Sequence, residues 1–163
     1  MHKPDNATNT QAGRRLFLIA SMASAALVAG IGSQAFAAKP DLPSIKVFKN
    51  PSCGCCGQWV EYMTKHGFTL QVENRDNLEA IKKMARVPEK LWSCHTSVVG
   101  NYIVEGHVPV EGIRKLLAEK PKLAGIAIPG MPSGSPGMPG PKEAPFKVIG
   151  FTHDGKASLF TKL

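Results

Sequence analysis

The sequence predicts a single α/β domain. Three observations carry this. Apolar residues alternate between period-two runs and helical spacing along the chain. The first such strand runs through Pro51-Ser52-Cys53-Gly54-Cys55-Cys56-Gly57 straight into a helix. An Asp154-Gly155 turn joins two β-rich runs near the C-terminus. A chain of 163 residues fits one domain, and its 43% hydrophobic content excludes disorder throughout.

The elements follow in order. Ser44 to Phe48, with Ile45 and Val47 alternating, reads as a strand that Asn50-Pro51 ends. Cys56 to His66 reads as a helix with Trp59, Val60 and Met63 on one face and Gly67 at its C-terminal cap. Phe68 to Glu73 is a second strand, with Phe68, Leu70 and Val72 at period two. Asp76 or Asn77 caps a helix whose expected apolar stripe is Leu78, Ile81, Met84 and Ala85, and Pro88 ends it. Ser97–Val99 and Tyr102–Glu105 read as two strands around Gly100-Asn101. Pro109 opens a helix with Val110, Ile113, Leu116 and Leu117 as its buried face, and Pro121 lies beyond its end.

Residues 129–141 hold nine Gly or Pro among thirteen and cannot form a regular element. Phe146–Phe151 and Lys156–Phe160 then make the hairpin. The order β-α-β-α-β-β-α, a long loop and a β-hairpin is that of a thioredoxin-like α/β fold. Cys53 and Cys56 keep the two-residue spacing of its redox motif.

The first 37 residues read as an export signal: Arg14-Arg15, an apolar run from Leu16 to Ile31, then Ala35-Phe36-Ala37 as a small-residue cleavage site. Ser21, Ser24, Gly30 and Gly32 interrupt the run and argue against a permanent membrane anchor. Arg14-Arg15-Leu16-Phe17-Leu18 resembles a twin-arginine signal. The organisation expected is a signal over residues 1–37, a flexible lead over 38–43 and the folded domain over 44–163, exported to the periplasm as a protein with no membrane insertion of its mature form. Net charge is +8, and it falls to +6 when Lys3, Arg14, Arg15 and Asp5 leave with the signal. The remaining Lys and Arg are scattered, without the aromatic–basic spacing of a nucleic-acid module, so nucleic acid is not expected as a partner. Hydrolase and nucleotide-binding chemistry have no support in the sequence: no Ser-His-Asp order, phosphate-cradling glycine loop or paired carboxylates appear.

An exported compartment permits disulfides. Yet Cys53, Cys55 and Cys56 are too close together to staple distant segments, since so short a loop constrains little of the unfolded chain. They sit at or just before a helix N-terminus, whose free N–H groups and partial positive charge favour thiolate. A dithiol oxidoreductase would use Cys53 as nucleophile and Cys56 as resolving thiol, which leaves Cys55 and Cys94 unexplained. Adjacent Cys55 and Cys56 diverge too much to chelate one tetrahedral zinc, but each can bridge different metals in a polynuclear cluster, and soft, close-packed thiolates outside the cytoplasm select Cu(I).

Cys94-His95-Thr96 precedes the third strand, where a thioredoxin-like fold ordinarily brings a cis-proline against the first cysteine of the redox turn. No proline stands there. Cys94 and His95 are therefore candidate ligands, the alternative being a buried thiol and a hydrogen-bonded imidazole. Met131 and Met138 are soft thioether donors on a loop long enough to fold over the site, and equally serviceable as apolar anchors for it. His107 faces either the site or solvent. His66, near a helix C-terminus, reads as a dipole partner, and His153 as solvated.

Four motifs together resemble the CopG-type family of bacterial copper-resistance proteins. They are Lys49-Asn50-Pro51-Ser52-Cys53-Gly54-Cys55-Cys56-Gly57-Gln58-Trp59-Val60, Ser93-Cys94-His95-Thr96, Glu105-Gly106-His107-Val108-Pro109, and residues 129–138. The resemblance spans residues 44–163. It implies a thioredoxin-like fold, a periplasmic location, and a copper cluster bridged by Cys53, Cys55, Cys56 and Cys94. It also implies a role in interconverting Cu(I) and Cu(II) during copper detoxification, which would make the protein a copper oxidoreductase. Copper ions and other periplasmic copper-handling proteins are the expected partners. A thiol–disulfide oxidoreductase and a passive copper carrier remain as alternatives.

Overall fold

The computed structural model describes residues 42–163. The expected export signal, and the lead as far as residue 41, lie outside the described residues. One seven-stranded sheet organises the domain, in the order β2-β1-β3-β4-β5-β6-β7. Its strands are β1 (Ile45–Lys49), β2 (Leu70–Asn74), β3 (Thr96–Val99), β4 (Tyr102–Glu105), β5 (Gly125–Ala127), β6 (Lys147–Phe151) and β7 (Ala157–Lys162). Three α-helices interrupt them: α1 (Gly54–Lys65), α2 (Glu79–Met84) and α3 (Val110–Glu119), with a 3-10 turn at Glu89–Leu91. The β1-α1-β2 unit is parallel, as a crossover helix requires, while β3 and β4 run antiparallel to their predecessors. This mixed α/β sheet agrees with the thioredoxin-like expectation.

The sheet is covered on both faces. Side chains along a strand alternate between faces, and the two cores follow that alternation. One face gathers Ile45, Val47, Val104, Ile126 and Val148 under Trp59 and Met63 of α1 and Val110, Ile113 and Leu116 of α3. The other collects Ala127 and Phe151 under Val87 and Leu91, with Trp92 and Ile103 packed against them.

Helix ends are set by local chemistry. Asn77 Oδ1 accepts from the N–H groups of Glu79 and Ala80 (3.0 and 3.4 Å), as a residue capping α2 should. Gly67, at φ +90°, terminates α1 while Phe68 N–H reaches back to Met63 O at 3.2 Å. His66 donates from Nδ1 to Tyr62 O (2.8 Å) at the same helix end, away from any ligand role.

Three expectations need correction. The stripe assigned to α2 holds only in part: Leu78, Ile81 and Ala85 are half-buried, but Met84 is 80% exposed and Lys82 is the buried residue of that helix. The inward position is occupied by a cation because a buried carboxylate waits for it, as described below. Val72 is 45% exposed although it shares period two with buried Phe68, since β2 is the edge strand of the sheet. Finally, the residues between α3 and the Gly/Pro loop carry no strand signal in the sequence. β5 lies there, parallel to β4, and it joins the C-terminal hairpin to the rest of the sheet. Gly125 is essential to that joint, since a Cβ there would sit 2.1 Å from Ile103 O and 2.7 Å from Phe151.

Strand directions bring four segments to one end of the sheet. β1 ends there and releases the cysteine turn. β3 is antiparallel to β1 with Phe48 opposite Thr96, so Cys94-His95 enters beside that turn. β4 pairs Glu105 with Thr96, so His107 leaves at the same end. β5, parallel to β4, delivers the Gly/Pro loop there.

Candidate metal centre

The cysteine turn is pre-shaped by its neighbours. Asn50 Oδ1 accepts from Ser52 N–H (3.0 Å) and Ser52 Oγ (2.6 Å), and Cys53 N–H closes the turn on Asn50 O at 3.1 Å. Lys49, nearly buried, donates to Asn50 O at 2.9 Å and steadies the same turn from behind. Cys53 is the N-cap of α1, and Cys55 and Cys56 lie in its first turn, which carries no acidic residue to compete for the helix N-terminus.

Cys53 and Cys56 are joined as a disulfide, with Cα atoms 5.4 Å apart, whereas Cys55 and Cys94 are free. Cys55 Sγ lies 3.4 Å from Cys53 Sγ and 3.7 Å from Cys94 Sγ. All four sulfurs fall within 4.8 Å of one another. The structure thus brings together the four sulfurs singled out in the sequence, three of them half-buried and Cys56 fully buried. Burial, with contact from Cys55, pushes the Cys94 thiol up to about 11, so a metal at this position must displace a proton from it.

Behind Cys94 lies a buried ion pair. Lys82 Nζ sits 2.6 Å from Glu105 Oε1, and both side chains are almost wholly enclosed. The same carboxylate accepts from Ser93 N–H (2.6 Å) and Thr96 Oγ1 (2.7 Å). Glu105 therefore holds both ends of the Ser93–Thr96 segment that carries Cys94 and His95. Burial pushes the Glu105 carboxyl up, while Lys82, Thr96 and Ser93 N–H pull it back.

His95 is fully buried against Trp59, ring centroids 4.6 Å apart, and meets His107 edge-on at 4.9 Å. Burial first, then the His107, Lys82 and Lys49 charges, holds its imidazole neutral well below the ordinary range. The expected alternative of a hydrogen-bonded core imidazole is not met, since neither ring nitrogen of His95 has a partner. His107, absent from the expected ligands, is also fully buried in the site. The signal for it lay in the hairpin: Gly106 N–H bonds His95 O at 2.9 Å, so the residues flanking β3 and β4 must be neighbours.

The Gly/Pro loop is irregular as expected, yet tightly knit by turns, with Ser135 N–H on Pro132 O and Met138 N–H on Ser135 O. It crosses the first turn of α1. Gly137 approaches so closely that a Cβ would lie 2.5 Å from Cys55 O and 2.8 Å from Trp59 N. Met138, the next residue, is half-buried, whereas Met131 is 40% exposed. His153 lies exposed in the hairpin turn.

Residues 91–138 match a family model described as "Protein of unknown function, DUF411". No curated protein matches. Two solved structures are similar to this chain. "Copper resistance protein copG- Form 1" is 38% identical with a TM-score of 0.69, and "Copper resistance protein copG- Form 2" is 38% identical with a TM-score of 0.70. Each match covers 75% of this chain and 98% of the other. With the four-cysteine site in place and identity at this level across nearly the whole of its relatives, the chain belongs to the CopG family of copper resistance proteins.

Proposed function

We propose that this protein binds Cu(I) in the periplasm through a cluster of Cys53, Cys55, Cys56 and Cys94, as part of copper resistance, and cycles the metal between Cu(I) and Cu(II) by giving one electron to, or taking one from, an external one-electron redox partner. The observation that carries this reading is the convergence of four sulfurs within 4.8 Å at a helix N-terminus. Closely packed thiolates suit Cu(I), and Cys55, superfluous to a dithiol, bridges the helix pair to Cys94. His95, and Met138 and Met131 from the covering loop, complete the proposed donor set. Copper-resistance relatives support copper as the metal. The export signal expected from the sequence of residues 1–37 supports the periplasm, and among the described residues no helix is long and apolar enough to cross a membrane.

Loading requires the Cys53–Cys56 bond to open. A dithiol reductant supplies two electrons and two protons, leaves as a disulfide, and frees two thiols whose protons the metal then displaces. Copper per chain, measured on protein taken directly from the periplasm, tests the reading. Several ions in the intact protein and fewer in Cys94→Ser support it, and copper-free intact protein sinks it.

One observation favours a second reading. The Cys53–Cys56 disulfide has the form of an oxidoreductase pair. If the protein is instead a thiol–disulfide oxidoreductase, it exchanges with a model dithiol and Cys53→Ser alone abolishes exchange.

A further inference from the structure

The chain holds two tryptophans and two tyrosines. One of each, Trp59 and Tyr62, lies on α1, and His66 follows at its C-terminal cap. Positions 59, 62 and 66 repeat the helical spacing of three and four, so the three rings share one face and line up along the helix.

The line begins beside the cysteine turn. Trp59 comes one turn after Cys56 and is fully buried, its ring centroid 4.6 Å from that of His95. Its Nε1–H donates to Val108 O at 3.0 Å, which fixes the indole plane. Residues three apart on a helix hold their Cβ atoms about 5–6 Å apart, so Tyr62 is the next ring along. The Tyr62 hydroxyl accepts from Val110 N–H at 3.3 Å and is tied to the start of α3. His66 closes the line, its ring centroid 4.2 Å from that of Tyr62. Trp59 is enclosed, whereas Tyr62 and His66 are half-buried, and Tyr62 walls a surface cleft with Pro109, Glu111 and Lys142. The rings therefore run from the buried side of the cysteine turn to the surface.

Packing explains the buried indole, and the Val110 contact explains the tyrosine hydroxyl. Neither calls for an unbroken run of rings along one helix face. Electron transfer does. The twelve residues of α1 span about 18 Å at 1.5 Å per residue. Tunnelling across that length through saturated groups is slow, because its rate falls exponentially with the gap. Oxidisable rings one helical turn apart divide the span into short gaps.

We propose that Trp59 and Tyr62 are the electron path between the copper centre and a one-electron carrier protein that meets this chain at the Tyr62–His66 end of α1. This rests on the copper reading above and supplies the place where its redox partner acts. One electron leaves Cu(I), crosses Trp59 and Tyr62, and reduces the carrier. Copper ends as Cu(II), both rings end unchanged, and the transfer moves no proton. Metal and electrons then use opposite ends of one helix, and the half-buried sulfurs stay open to copper while the electron partner is docked.

Flash-triggered oxidation of the reduced, Cu(I)-loaded full chain tests this. A ruthenium photosensitiser is bound to His66 in one preparation and, as a reference, to exposed His153 of the hairpin in another. With the label on His66, Trp59→Phe and Tyr62→Leu are each expected to slow copper oxidation about tenfold or more, at unchanged copper per chain and unchanged Cu(II)/Cu(I) potential. With the label on His153, both variants are expected to keep the wild-type rate. Should Trp59→Phe lose copper, Tyr62→Leu decides alone, because Tyr62 lies away from the sulfurs. Wild-type rates from His66 in the copper-loaded variants overturn the path and leave the copper function standing. Equal slowing from both labels also overturns it, since the rings then act through the centre itself. A wild type that binds no copper overturns both.

Discussion

Cys55 and Cys94, 39 residues apart in sequence, hold their sulfurs 3.7 Å from each other across the end of the sheet. Neither takes part in the disulfide. The contact joins the turn after β1 to the segment before β3, and it is the link that a plain dithiol motif lacks. Cys55→Ala is therefore expected to leave the Cys53–Cys56 disulfide intact and to weaken copper binding more than 10-fold, the scale of about 1.4 kcal/mol or more per ligand lost. Thiol counting and a chelator competition check the two halves separately. Unchanged copper affinity would return the lead to the oxidoreductase.

The Lys82–Glu105 pair makes a sharper claim about stability. Glu105→Gln strands a buried ammonium and is expected to cost about 3–5 kcal/mol, read from urea unfolding. The double variant Lys82→Met with Glu105→Leu is expected to cost less than either single change, because no charge is left unpaired. It also removes the anchor of Ser93 and Thr96, so it should slow or loosen copper capture at Cys94 even where stability is recovered. Strict additivity of the two single changes would contradict the pairing.

How much of this was legible in the sequence depends on what each residue signals. Cys53, Cys55 and Cys56 announce themselves by spacing, and Cys94 by its place before a strand that pairs with β1. His107 carried only half a signal, because its partner His95 becomes a neighbour through the register of a hairpin rather than through spacing. Lys82 carried none: a lysine in a six-residue amphipathic stretch reads as solvated, and only the tertiary position of Glu105 draws it inward. β5 was hidden for a different reason. Three residues, one of them glycine, are too short for periodicity, and Gly-Ile-Ala is a strand because Ile103 and Phe151 leave space for nothing larger than glycine on that line.

Gly137 tests the covering loop. Its φ of +84° and its approach to Cys55 O leave no place for a methyl group. Gly137→Ala is expected to cost about 1–3 kcal/mol and to lift the loop from the first turn of α1. Faster alkylation of Cys55 and faster amide exchange around Trp59 are the readouts. Wild-type alkylation rates in this variant would mean that the loop does not shield the turn.

The buried imidazoles predict an acid sensitivity in the metal-free, disulfide-intact protein. Burial lowers the proton affinity of both His95 and His107 in the folded state. As pH falls through about 6.5 the unfolded chain takes up protons that the folded chain refuses, so stability falls toward acid by up to about 1.4 kcal/mol per pH unit for each histidine. Above about pH 6.5 their contribution is flat. Urea unfolding of chelator-treated protein across this range checks the slope, and His95→Phe should reduce it. A slope unaffected by that change would place the titrating groups elsewhere.

Four cysteine sulfurs converge at one end of the sheet, and copper binding there is open to direct measurement. The most direct measurement is Cu(I) affinity of the reduced protein, residues 38–163 or the full chain, in competition with a chromogenic chelator. The wild type is expected to strip Cu(I) from the chelator, and Cys55→Ala and Cys94→Ser to lose most of that ability. A reduced wild type that leaves all the copper on the chelator would contradict it.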